Sequence, residues 1–279
     1  MTSEQFELIS HLALELTGIE ILDRHRHLLD RKCSWLGIEK RTDLSELLGR
    51  ANEGDRTACQ HLIVLLTTSH TSFYRVPWHF DIAAEQALWA VHKKGHARFW
   101  SAAAATGEEP YSLAIALLNI FRRDDPSATI LATDINPDSL AFAQRGVYGE
   151  PALAALPPSA RSHFPDDSTA SGPRRVSKAV QRLVTFQALN LNATTWPING
   201  PFDVIFCRNV LMYFKADLRD IAVRRFASLL VPGGLLILDP AEHLGRTGHL
   251  FSKGKESIYT LLRPLPHAFN SGADPSSMR

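Results

Sequence analysis

From residue 97 onward the chain alternates short apolar runs with helical stretches, and this alternation limits the fold more than any other feature of the sequence. ARFWSAAA (97–104), ATILATD (128–134), RLVTFQALN (182–190), FDVIFCRN (202–209) and GLLILD (234–239) are brief apolar segments, most of them ending in polar residues. Such runs suit parallel strands covered on both faces. Between them lie residues 109–121, 137–145 and 215–231. In the last of these, Leu218, Ile221, Ala222, Phe226 and Leu229 keep helical spacing before Pro232-Gly233-Gly234 breaks the helix. The pattern predicts an α/β fold, a doubly wound domain over 97–279, to which SIYTLLRP (257–264) adds an edge or antiparallel strand.

The remainder is organised differently. Residues 1–76 read as a small N-terminal helical domain and 77–96 as a linker helix. Phe6, Ile9, Leu12, Ala13 and Leu16 form one stripe that Thr17-Gly18 closes, and Leu62, Ile63, Leu65 and Leu66 mark the last helix. Arg24, Arg26, Arg31 and Lys32 give residues 23–41 a basic face. Residues 153–182 interrupt the alternation with Pro157, Pro158, Pro165 and Pro173, a polar loop DDSTASGP (166–173), and then Arg174, Arg175, Lys178 and Arg182. This segment is predicted to be an inserted β-subdomain, a small hairpin.

Lys+Arg 30 against Asp+Glu 29 excludes a protein that coats nucleic acid through its phosphates. No run approaches the roughly 18 apolar residues of a membrane span, so no membrane insertion is expected. Three widely spaced cysteines and an acidic, polar N-terminus point to the cytoplasm. His92 and His96 stand beside Lys93-Lys94 with no carboxylate or cysteine nearby, so they read as a solvated helix end; no metal is expected.

In an open parallel sheet the ligand sits beyond the carboxyl ends of the strands. After the first run comes SAAAATGEEPYS (101–112), where small residues allow close approach and Glu108-Glu109 would repel a phosphate, so the ligand is expected to carry a cation such as an ammonium group. Asp134, after the second run, suits two ribose hydroxyls. Asn190-Leu191 and Arg208-Asn209 complete a ring of polar strand ends. With no G-x-G-x-x-G present, the ring favours S-adenosylmethionine over a nicotinamide cofactor. On residues alone, Tyr213 reads first as a core aromatic and Arg75 as an interdomain ion pair.

TTSHTSFYR (67–75), SAAAATGEEPYS and FDVIFCRNVLMYF (202–214) resemble the three signatures of the chemotaxis receptor methyltransferases, the CheR family. The resemblance runs in consistent order from the N-terminal helices to about Arg263. It implies a Rossmann-like methyltransferase domain and methyl transfer from S-adenosylmethionine to glutamate side chains on the cytoplasmic helical region of chemoreceptors, a protein-glutamate O-methyltransferase of chemosensory adaptation. Its products would be glutamyl methyl esters and S-adenosylhomocysteine. Position by position it implies that Ser69, Thr71, Arg75, Glu109, Asp134, Asn190, Leu191, Arg208 and Asn209 contact the cofactor, while Arg75 and Tyr213 face the substrate glutamate. Ser69 stands where the family commonly has asparagine. DPAEH (239–243) departs from the usual Gly-His-Ser-Glu-Asn and shares only Glu242, to which no role is assigned.

The basic residues of 23–41 and 174–182 are expected to meet acidic receptor helices. In some family members the inserted hairpin grips a pentapeptide tether at the receptor C-terminus through a glycine-rich loop. Here the loop holds Gly172 alone, so no dependence on the tether is expected. A methyltransferase for RNA or small molecules would share the cofactor ring but give no reason for TTSHTSFYR. A non-catalytic scaffold is opposed by intact Arg75, Asp134, Asn209 and Tyr213.

Overall fold

The apolar runs pair as their lengths require. A computed structural model describes residues 1–35, 41–154, 156–165, 172–263 and 265, and all that follows concerns those residues. The strands β1 (Ala97–Ala102), β2 (Ala128–Asp134), β5 (Val184–Ala188), β6 (Phe202–Cys207) and β7 (Leu230–Ile237) lie parallel, and β8 (Phe251–Lys253) and β9 (Ile258–Leu261) complete a sheet of order β5-β2-β1-β6-β7-β9-β8. β9 runs antiparallel to β7, as expected, but β8 takes the edge outside it.

Successive side chains of a strand point to opposite faces, and both faces here are covered. Phe99, Ile130, Val204 and Phe206 pack with α5 (Pro77–Lys94), α6 (Glu108–Phe121) and α10 (Lys178–Leu183). Their neighbours Trp100, Ile205 and Cys207 pack with α11 (Ala216–Leu229) on the other face. Trp100 is fully buried against Trp196, Phe202 and Phe226, and its indole N–H is satisfied by Thr133 Oγ1 at 3.0 Å. A buried aromatic of this size contributes about 1.5–3 kcal/mol.

The first four helices share a separate cluster of buried apolar side chains. α1 (Ser3–Thr17) is closed at its start by the reciprocal bonds of Thr2 and Gln5, and at its end by Gly18 at φ 75°. Phe6, Ile9, Leu12 and Ala13 of α1 meet Leu29 and Cys33 of α2 (Arg26–Trp35), Leu44 and Leu48 of α3 (Arg41–Asn52), and Leu62, Leu65 and Leu66 of α4 (Arg56–Leu66). Among the described residues no helix is long and apolar enough to cross a membrane.

Three elements differ from the sequence reading. Arg182 and Leu183 end α10, whose N-terminal Ser177 accepts from Val180 N–H, so β5 starts only at Val184. An apolar run does not mark where a helix hands over to a strand. Likewise β7 begins at Leu230, and Pro232-Gly233-Gly234 lies in an irregularity within the strand instead of preceding it. The insertion pairs β3 (Val147–Tyr148) with β4 (Arg174–Arg175), a ladder that starts before residue 153 and is two residues long on each side. Between these strands run the short helices α8 (Glu150–Leu153) and α9 (Pro158–Arg161), and Leu153, Ala160, Phe164 and Val176 join the core of the α5–α6 face. The polar loop at 166–171 and residues 36–40 of the basic stretch lie outside the described residues.

Candidate functional site

Strand order reverses at β1, which lies between β2 on one side and β6 on the other, and this is where an open α/β sheet leaves a crevice. A cavity of about 390 Å³ occupies it, walled by the carboxyl ends of the strands and, opposite, by Ile19, Ile21, His25, Leu28 and Lys32 of the helical region. Ser69, Thr71, Arg75, Glu109, Asp134, Asn190, Leu191, Arg208, Asn209 and Tyr213 all border this one cavity. Their hydrogen bonds differ more than their positions.

The segment after α4 crosses between the two cores. Lys32 Nζ donates to Leu65 O at 3.1 Å, Thr67 O at 2.8 Å and Thr68 Oγ1 at 3.1 Å, and its pKa is lowered by burial. On the other side Asn136, which caps α7 (Pro137–Arg145), donates to Thr67 Oγ1 at 2.8 Å. Ser69 and Ser139 share a hydrogen bond through their hydroxyls at 2.5 Å. Lys32 thus belongs to this crossing and not to a solvated basic face, and Arg26 lies over the Phe6 ring, leaving Arg24 and Arg31 exposed.

Arg75 follows in a strained setting. Tyr74 and Val76 on either side have φ of 50° and 63°, a region where a β-branched residue is an outlier. Tyr74 N–H donates to Ser112 Oγ at 2.9 Å, Val76 precedes Pro77 at the start of α5, and Arg75 Nη2 lies 3.8 Å from Asp239 Oδ2. Arg75 is therefore partnered by the first residue of DPAEH, where that motif departs from the usual glycine.

The loop after β1 is held from several directions. Ala103 and Ala104 N–H donate to Thr133 O, and Tyr148 of the insertion donates its hydroxyl to Thr106 O at 2.7 Å. Gly107 has φ 96°, and a Cβ there would stand 2.8 Å from Ala143 Cβ and 2.9 Å from the Tyr148 hydroxyl. Glu108 accepts from Thr106 Oγ1 and does not border the cavity. Glu109 accepts from Ser101 Oγ at 2.7 Å and from Arg208 Nη1 at 3.1 Å. Burial pushes its carboxyl up in spite of these partners. The pair of acids that the sequence aims at a cationic ligand is thus one buried, paired carboxylate on the cavity wall.

Asp134 is 9% exposed and accepts from Asn136 N–H through Oδ1 and Ala105 N–H through Oδ2, each at 2.8 Å. Burial raises its pKa against those bonds. Asn190 lies on the wall, but its amide donates to Leu16 O at 2.7 Å and its oxygen accepts from Asn192 N–H, so its polar atoms hold the end of α1.

Tyr213 is not a core aromatic: it is 42% exposed at the edge of the cavity, and its carbonyl accepts from Glu20 N–H. It closes a 3-10 turn, Leu211–Tyr213, that follows Asn209 at φ 60°. The residue that holds this turn is one the sequence left without a role. Glu242, 4% exposed, accepts from Val210 N–H and Met212 N–H through Oε1 at 2.9 and 3.3 Å, and from Asn209 N–H and Asp239 N–H through Oε2 at 3.0 and 2.9 Å. The single signal for it in the sequence was that it alone matched the family pattern of that motif.

These walls fit S-adenosylmethionine on their own chemistry. Arg208 is buried with Nε and Nη2 lacking any hydrogen-bond partner among the described residues, so it has donors left for a carboxylate. Asp134 offers acceptor capacity for hydroxyls, and Ile135, Leu191 and Phe214 supply apolar wall. Among the described residues no three His, Cys, Asp or Glu side chains gather as metal ligands do.

Comparison with known proteins gives a consistent picture. A family model described as CheR methyltransferase, SAM binding domain, matches residues 69–260. The chain is 35% identical over 269 residues to a chemotaxis protein methyltransferase of Klebsiella aerogenes, covering 94% of this chain and 91% of that one. It is 32% identical over 265 residues to chemotaxis protein methyltransferase 2 of Pseudomonas aeruginosa, covering 93% of each. To the chemotaxis protein methyltransferase of Escherichia coli it is 33% identical over 268 residues, covering 94% and 92%.

Proposed function

Because the chain belongs to the CheR methyltransferase family, we propose that it methylates glutamate side chains on the cytoplasmic helices of chemoreceptors, using S-adenosylmethionine and no metal. The observation that carries this reading is that Arg75 and Tyr213, two groups suited to orient a carboxylate, border the same cavity as Asp134 and Arg208. When bound, the cofactor supplies an electrophilic methyl group on a sulfonium sulfur.

A glutamate has an ordinary pKa of about 4.3, so the acceptor is already a nucleophile at neutral pH and needs no general base. What remains for the protein is alignment. In this reading Arg75 and Tyr213 orient the acceptor carboxylate at the mouth. Arg208 and Glu109 hold the amino-acid end of the cofactor, and Asp134 holds the ribose. Asp239, 3.8 Å from Arg75, tempers the guanidinium. That matters because a clamp that bound the ground-state carboxylate too tightly would slow the transfer. Ile135, Leu191 and Phe214 keep the site dry, which favours a reaction that consumes the carboxylate charge.

The exposed Arg24 and Arg31 of the helical region support an acidic receptor helix as the docking partner. We also infer that docking is independent of a C-terminal pentapeptide; tight binding of the isolated pentapeptide would overturn that point. The main reading is tested with labelled S-adenosylmethionine and receptor-rich membranes from the source cell. A glutamyl methyl ester releases labelled methanol in base, and an Arg75→Ala chain is the control. Label that survives alkali would refute glutamate as the acceptor.

A further inference from the structure

We propose that Glu242 is a positioning residue that fixes Arg75 and Tyr213 relative to one another, so that a single buried carboxylate sets the geometry of the acceptor clamp. This rests on the glutamate-methylating reading above and adds the residue that builds its clamp. Glu242 touches neither partner directly. It acts through two short pieces of backbone that meet at its two oxygens.

One piece is the turn that carries Tyr213. The N–H groups of Asn209, Val210 and Met212 all point at the Glu242 carboxylate, and Asn209 is held at φ 60° as they do so. Three N–H groups converging on one anion make bonds about twice as strong as neutral ones. Without that anion the three N–H groups lose their acceptor, and among the described residues the turn keeps only the bonds from Tyr213 N–H to Val210 O, from Phe214 N–H to Leu211 O and from Glu20 N–H to Tyr213 O, none of which reaches Asn209. The other piece is the end of β7. Asp239 N–H donates to Oε2, the oxygen that also serves Asn209, while the Asp239 side chain accepts from Ala241 N–H and faces Arg75. Moving the carboxylate therefore shifts both pieces at once.

The four N–H groups also explain why a carboxylate is required. A glutamine at 242 has one acceptor oxygen, able to take two of the four donors, and presents an NH2 group to the other two. An aspartate keeps the charge but is one methylene shorter, so it cannot span from Met212 to Asp239. The sequence carries Glu242 in DPAEH, a motif in which every other residue, Asp239 included, departs from the usual pattern. The structure gives the new Asp239 side chain to Arg75 while its backbone stays on Glu242.

The test uses the full chain with receptor-rich membranes and counts active sites by S-adenosylhomocysteine titration, so that turnover is expressed per cofactor-binding site. Glu242→Gln is expected to lower kcat per site at least tenfold, and Glu242→Asp at least threefold. In combination with Tyr213→Phe, each is expected to reduce kcat no further than the stronger single change, because both act on one geometry. A purely structural role would remove sites without changing kcat per remaining site. Glu242→Gln with kcat per site within twofold of the parent, or losses that multiply with Tyr213→Phe, would overturn the inference. If Glu242→Gln does not fold, Glu242→Asp is judged by the same two criteria. A parent chain that forms no base-labile ester refutes the functional reading and this inference together, whereas a parent that forms it beside an unaffected Glu242→Gln refutes the inference alone.

Discussion

Replacing Arg208 with methionine tests whether one wall of the cavity rests on a buried ion pair. Glu109 is 8% exposed, accepts from Ser101 Oγ, and is reached by Arg208 Nη1 at 3.1 Å. Methionine preserves much of the apolar stem but removes the charge, so Glu109 stays buried with one neutral side-chain donor. Breaking a buried pair from one side costs about 3–5 kcal/mol. At roughly 2–4 °C per kcal/mol for a domain near this size, the melting temperature is expected to fall by about 6–20 °C. The sign with pH follows from burial, which holds the Glu109 carboxyl above its ordinary range even with Arg208 present; removing the cation raises it further. A group whose folded pKa exceeds its unfolded value favours the fold below the unfolded value, and that contribution is lost as pH rises through the folded one. The deficit of Arg208→Met is therefore smallest in mild acid and largest in mild base. Circular-dichroism melts of the parent, both single variants and Arg208→Met/Glu109→Gln, all without cofactor, read it directly. The double variant is expected to recover most of the loss, because it leaves no unpaired buried charge at position 109. A melting temperature for Arg208→Met within about 2 °C of the parent in mild base, less than 1 kcal/mol on this scale, would refute the reasoning, as would a deficit that grows toward acid.

Three further outcomes are expected. Arg75→Ala is expected to lower turnover about 100-fold with a smaller change in KM, since the group aligns the acceptor; near-normal turnover with a raised KM counts against that role. Asp134→Asn is expected to weaken S-adenosylhomocysteine about 10- to 100-fold by calorimetry, because it replaces a charged acceptor shared by two backbone N–H groups and, in the proposed reading, a ribose; an unchanged affinity would remove Asp134 from the cofactor site. Gly107→Ala meets Ala143 at 2.8 Å in a left-handed conformation and is expected to cost about 1–3 kcal/mol in urea unfolding, so an unmoved midpoint would show that the loop can give way.

The strands were legible because each is a short run that must be apolar on both faces, and Phe99 beside Trp100 shows the sheet using both. What periodicity could not supply was the boundary at Val184, since Leu183 and Val184 are apolar whether the backbone coils or extends. The ten candidate residues were legible as strand ends and as motif positions, and the fold gathers them on one cavity. Their partners were not. Arg208 reaches Glu109 across 99 positions of sequence, Ser69 meets Ser139 across 70, and Lys32 bonds Thr67 across 35. Pairings at that range are set by strand order and by how helices pack on one another and on the sheet, and no local pattern encodes them. Tyr213 misleads for a related reason, because Val210, Leu211 and Met212 look like core while the turn they form carries the ring outward.

The left-handed residues on either side of Arg75 carry a warning for anyone who would engineer this chain for heat tolerance. Tyr74 and Val76 hold conformations that cost about 1–3 kcal/mol each. Tyr74 packs on the core against Phe80 and would lose more than its strain, but a search for stabilising changes would place glycine at Val76, and thermal melts would reward the choice. Yet glycine would also free the backbone to rotate around the one arginine whose direction the proposed chemistry depends on. Robustness gained there is drawn from aim, so screens on this scaffold need to score catalysis beside survival.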